Sequence, residues 1–167
     1  LQRMRELAVQ AANDSLTEDD RVQIQKEINQ LTEEAQRIGV TTEFNTQKLL
    51  DGTFGAKLFH IGANSGQTVS LTIGAMTAGG LSVSGLSAST QSKAETAIQT
   101  IQGAIDSVSS ARSKLGALQN RLEHTINNLS VAKENLTAAE SRIRDVDMAE
   151  EMMAFTRNQI LMQAGTA

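Results

Sequence analysis

Cysteine is absent from all 167 residues, which excludes disulfides, thiolate zinc sites and cysteine nucleophiles and leaves the redox compartment unread. Proline is absent as well, so no position lacks its backbone donor or clashes with the preceding turn, and long uninterrupted helices are allowed. Trp and Tyr are missing and Phe occurs only 4 times, which excludes a broad core centred on aromatics. Burial falls instead to Leu, Ile, Val, Ala and Met, and a hydrophobic content of 40% is enough for a real core. No apolar run reaches the roughly 18 residues of a membrane-spanning helix. No charged start, short apolar stretch and small-residue cleavage site marks a secretory signal. Neither sign of charge dominates: 15 Lys and Arg stand against 19 Asp and Glu, a formal net charge of −4, interspersed in a way that calls for neither nucleic acid nor a membrane as partner. The chain opens on Leu1, and helical patterning runs to both ends, so it reads as a fragment.

What is present is helical periodicity. In the second half, large aliphatics recur at heptad spacing: Ile101, Val108, Leu115, Leu122, Leu129, Leu136 and Ile143, with Ala94 in phase ahead of them. A second series three residues on, Ala97, Ala104, Ala111, Leu118, Thr125, Ala132, Ala139, Val146 and Met153, completes the a/d seam of a coiled-coil-like helix. Small residues alternating with large ones let a neighbouring helix approach closely. From Ser92 to Ile143 this predicts a rod of about 75 Å at 1.5 Å per residue, its aliphatic edge lying against companion helices from the first half. Past Ile143 the phase changes to a stripe of Met152, Met153, Phe155, Ile160 and Leu161.

The first half predicts two shorter helices. Met4, Ala8 and Ala11 share one face of the first, which ends near Asn13-Asp14, a pair that favours local turns. The second starts near Thr17, three residues before Asp20, buries Ile24, Ile28, Leu31, Ala35 and Ile38, and is expected to close at Gly39. A β-hairpin is expected from Lys57–Ile61 and Thr68–Ile73 around the turn-rich stretch Gly62–Gly66, with Asp51-Gly52 as a turn before it. Ala78 to Ser92, mostly Gly, Ser, Ala and Thr, reads as a connection with little core of its own, tolerant of insertion.

The fold class is therefore mainly α: an elongated bundle of long antiparallel helices, with a β-hairpin between the N-terminal helices and the long C-terminal helix. One rod-like domain over 1–167 is expected, with helices over 1–39, turns, hairpin and connection over 40–91, and the long helix over 92–164.

Chemistry is poorly supplied. His60 and His124 lack a second His or Cys at ligand spacing. Asp145, Asp147, Glu150 and Glu151 cluster in sequence, as a metal-dependent hydrolase would need, but Arg142 and Arg144 stand beside them and a salt-bridged, solvated face is the favoured reading. No phosphate-cradling loop or nucleophile elbow is present, and no catalytic residue, cofactor or metal is expected. On the first helix Arg3, Leu7 and Gln10 form a stripe of their own, placing Leu7 as an apolar residue near the surface. Periodicity leaves partner contact and plain surface equally open there.

Four blocks carry a resemblance. Leu1 to Gln10 looks like the LQRxRELAVQ signature of bacterial flagellin, and Glu43-Phe44-Asn45 with Lys48-Leu49-Leu50-Asp51-Gly52 is similar to its TEFNxxKLLDG stretch. Lys114–Leu129 (KLGALQNRLEHTINNL) and Glu134–Met152 (ENLTAAESRIRDVDMAEEM) resemble its carboxy-terminal signature. The resemblance implies a structural subunit of the flagellar filament, with no reaction catalysed, self-assembling for motility in the extracellular flagellum after export without a cleaved signal peptide. It implies as partners other flagellin subunits, the flagellar export machinery and its chaperones, and the innate immune Toll-like receptor 5. It implies that this chain is the rod-like core domain without the extreme termini, with only a minimal outer domain at Ala78 to Ser92. For the receptor it points to Arg3, Leu7, Gln10, Glu27 and Arg121. A hook-associated or other helical export-system assembly protein shares the coiled-coil habit but is expected to lack these paired blocks.

Overall fold

Helix α1 (Gln2–Ala11) forms where Met4, Leu7, Ala8 and Ala11 recur on one side, and all four are buried. It ends at the Asn13 turn, where the Asn13 side chain accepts from the Ser15 amide at 3.3 Å. Helix α2 (Glu18–Thr41) starts at Thr17 with a reciprocal cap. The Thr17 hydroxyl accepts from the Asp20 amide at 3.3 Å, and the Asp20 carboxylate accepts from the Thr17 amide at 3.1 Å. The hydroxyl and amide of Thr17 together hold the Asp20 carboxyl below the usual carboxylate range.

Two contacts establish that α1 and α2 run antiparallel. Arg3 near the start of α1 meets Glu27 in mid-α2, while Arg21 near the start of α2 reaches the end of α1. Arg21 is buried, and its guanidinium donates to the carbonyls of Ala11 at 2.9 Å and Asn13 at 3.0 Å. A cation here satisfies carbonyls that the end of α1 leaves without a helical partner, which is how its charge is accommodated in the interior.

Strands β1 (Glu43–Phe44) and β2 (Gln47–Lys48) form a short antiparallel hairpin with Glu43 opposite Lys48. The expected hairpin follows as β3 (Lys57–His60) and β4 (Thr68–Leu71), antiparallel, with Phe59 opposite Val69. Backbone bonds from Ile73 to Phe54 and from Met76 to Leu50 tie the chain before the hairpin to the chain after it. Asp51 makes its turn by accepting from the amide and hydroxyl of Thr53, which depress its pKa.

Two expectations are corrected here. Gly39 does not close α2, which continues to Thr41; a Cβ on Gly39 would lie 2.9 Å from Thr77 Cα, so the glycine is a point of close approach for the segment crossing the helix. That segment is also not a coreless connection. Ala78, Leu81, Val83 and Ala88 are buried, and glutamines of α2 strap the backbone down. The Gln36 side-chain oxygen accepts from the Ala78 amide at 3.1 Å, while Gln25 accepts from Ala88 at 2.6 Å and donates to the Leu86 carbonyl at 2.8 Å. Composition conceals this, because its few Leu, Val and Ala residues are the ones turned inward and three of its backbone groups are satisfied by glutamines of α2.

Helix α3 (Gln91–Arg144) carries the heptad series. Ala94, Ala97, Ile101 and Ala104 join the core cluster of Met4, Leu7, Ala8, Ala11, Ile24, Ile28 and Val83. Each large side chain fully buried here, such as Met4, Ile28 and Ile101, contributes roughly 1.5–3 kcal/mol. Helix α4 (Met148–Gly165) follows. The computed structural model describes residues 1–144 and 148–165, in two compact units, Leu1–Asn120 and Arg121–Ala167.

Candidate interaction surface

On the first unit, the Arg3 guanidinium donates to the Glu27 carboxylate at 2.9 Å and to the Glu6 carboxylate at 3.4 Å. Both partners raise the already high pKa of Arg3, Glu27 foremost. Two of the three charged residues singled out for a partner, Arg3 and Glu27, are thus brought together across α1 and α2, exposed and held in one geometry. Gln10 is exposed further along α1.

Leu7 is not at the surface. It is only 2% exposed, within the core cluster. The apolar arc of an amphipathic helix is 100° wide or more, and Leu7 forms one flank of the arc that Met4, Ala8 and Ala11 centre, so the stripe through Arg3 and Gln10 runs along its edge. The exposed apolar residue of α1 is Val9, which lines an open concavity with Gln2, Arg5, Glu6 and Gln10. Its phase, away from the Met4 stripe, is the signal by which the sequence marks it.

The heptad seam divides sharply. Ile101 is fully buried and Val108 partly so, against the core of the first unit. Leu115 is at the margin of exposure, beside a cleft of about 450 Å³ that it lines with Leu71, Ile73, Met76 and Ala111. In the second unit Leu122 is half-buried and Leu129 exposed, while Leu136 and Ile143 reach 70% and 86% exposure. The expectation that first-half helices cover the whole seam is corrected: α1 has 10 residues and α2 has 24, against 54 in α3, and the core they build ends near Val108.

Arg121 is exposed on the second unit, where its carbonyl accepts from the Thr125 hydroxyl at 2.8 Å. Helix α4 leaves Met148, Met152, Met153, Phe155, Ile160, Leu161 and Met162 exposed. Of the acidic cluster, Asp145 and Asp147 lie outside the described residues, and Glu150 and Glu151 are exposed on α4. Among the described residues no three His, Asp or Glu side chains come together as a metal site would require, and no helix is long and apolar enough to cross a membrane.

Residues 1–55 match the bacterial flagellin N-terminal helical region, and residues 98–167 match the bacterial flagellin C-terminal helical region. The crystal structure of Bacillus cereus flagellin superposes with a TM-score of 0.66 at 32% identity, covering 82% of this chain and 80% of that one. The chain belongs to the flagellin family. It is 50% identical to a flagellin of Halalkalibacterium halodurans and 44% identical to a flagellin of Treponema pallidum, in each case over 100% of its own length. It spans 62% and 64% of those two flagellins.

Proposed function

We propose that this flagellin chain is a structural subunit of the bacterial flagellar filament, assembling with copies of itself for motility and catalysing no reaction. The observation that carries the reading is the bare apolar surface of the second unit, where Leu129, Leu136 and Ile143 on α3 and most of α4 face solvent. Large apolar side chains exposed in this number along both helices mark an interaction site. A relative named as a flagellar filament core protein of Treponema phagedenis, 46% identical, supports the same role. Residues 1–167 then belong to the core of the subunit, outside the cell in the flagellum after export without a cleaved signal peptide, handled on the way by the export machinery and its chaperones.

Recognition by Toll-like receptor 5 is the finer part of the proposal. Arg3 and Glu27 offer a preformed charged pair, Gln10 and Arg121 offer exposed polar groups, and Leu7 acts from the core by holding the ridge that carries Arg3 and Gln10. Polymerisation of the full-length protein in precipitating salt, followed by electron microscopy, tests the assembly role: filaments are expected, and their loss in a Leu129→Ser/Leu136→Ser variant. Assembly that ignores those changes contradicts it. For the receptor, Arg3→Ala/Glu27→Ala is expected to weaken signalling without altering helicity, and unchanged signalling removes the assignment.

A further inference from the structure

The 6 methionines of the chain are partitioned in a way the filament role does not require. Met4 is 1% exposed and Met76 packs partly buried against the same core. The other methionines, Met148, Met152, Met153 and Met162, all stand on α4 at 54–71% exposure. Met148, Met152 and Met162 fall with Phe155 on one side of the helix at spacings of four, three and seven. Met152 and Met153 also line a concavity of about 510 Å³ with Thr156, Arg157, Ile160 and Leu161, open to small solutes. With no cysteine anywhere, these thioethers are the most oxidisable groups the protein presents.

We propose that α4 is a reversible methionine-oxidation site, modified by peroxide-class oxidants before the helix is covered. A sulfur lone pair attacks one oxygen of hydrogen peroxide; the S–O bond forms as the O–O bond breaks, sulfur loses two electrons, and the departing hydroxide takes the proton of the sulfur-bound hydroxyl, leaving the sulfoxide and water. Each sulfoxide replaces a flexible apolar group with a polar, chiral one. On a helix whose use is to be buried, that substitutes hydrogen-bonding oxygens for dispersion contacts, and burying such an oxygen without a partner is unfavourable. The consequence for assembly rests on the filament reading above, whereas the oxidation itself does not.

The test treats the full chain with hydrogen peroxide and follows each methionine by peptide mass spectrometry. The α4 methionines are expected to gain oxygen at least about tenfold faster than Met4, and methionine sulfoxide reductases are expected to restore them. Equal rates for Met4 and the α4 residues, or protection of α4, overturns the site. In a second arm, oxidised chain is offered to seeds sheared from filaments of the full-length protein. Incorporation is expected to fall and to recover on enzymatic reduction, while a Met148→Leu/Met152→Leu/Met153→Leu/Met162→Leu variant joins equally with or without peroxide. Oxidised chain that joins as readily as untreated chain overturns the consequence. If untreated chain does not join either, the assembly reading falls, and the oxidation map alone decides the site.

Discussion

Thr46 sits at φ 62° and Asn45 at φ 48°, the two central positions of the β1–β2 turn. A two-residue hairpin turn of this kind needs positive φ at both, which Asn tolerates and a β-branched residue resists. Replacing Thr46 by Gly is expected to raise stability by about 1 kcal/mol, read as an increase in melting temperature; no increase means the turn relaxes in solution. At Gly39 the sign is reversed. Alanine gains up to about 1 kcal/mol of helix propensity, but its Cβ meets backbone at Thr77 and overpacking costs about 1–3 kcal/mol. Gly39→Ala is therefore expected to destabilise, measured by urea unfolding. Leu7 shows how a single residue misleads: seven residues of α1 place it on a polar stripe, and the width of the buried arc places it inside.

At the scale of elements, α2 was legible almost to its ends. Thr17 and Asp20 announce the start, and both Ile24 and Ile28 are buried as their spacing requires, whereas Ile38, expected on the same buried face, is exposed. The capping box also sets a pH dependence. The Asp20 pKa is depressed in the folded chain, so its contribution is fully present above the ordinary carboxyl value near 3.9 and is lost as pH falls through the lower folded value. An NMR titration is expected to place the Asp20 midpoint below that of a model peptide, and Thr17→Ala is expected to move it back up. The segment at 78–88 was not legible, because its core role depends on Gln25 and Gln36, more than forty residues away in sequence for each bond they make to it. The β1–β2 hairpin was missed for a related reason: Asn45-Thr46 lacks the glycine that usually flags such a turn.

At the scale of the whole molecule, the heptad series promises uniform burial and the structure delivers it only as far as Val108. Ile101→Ala is expected to cost about 2–5 kcal/mol, whereas Leu129→Ala in the chain alone should stay within about 0.5 kcal/mol. Comparing the two by urea unfolding separates a covered seam from a bare one, and a Leu129 effect as large as that of Ile101 shows that something covers it in solution. In the filament reading the ranking changes, since Leu129 then matters for polymerisation rather than for stability of the isolated chain.

By itself the sequence determined that the chain is mainly helical with a hairpin between its helical parts, since periodicity, caps and the absence of proline are local properties that survive in any context; the continuity expected over 92–164 turns on residues 145–147, which lie outside the described residues. It also carried the family, through four blocks in order. Only the tertiary structure decided how much of each stripe is covered, that Leu7 lies inside and Val9 outside, and that Arg3 meets Glu27. The physical reason is that burial belongs to pairs of surfaces: a heptad states that a helix can be packed, and the reach of its neighbours states how far it is.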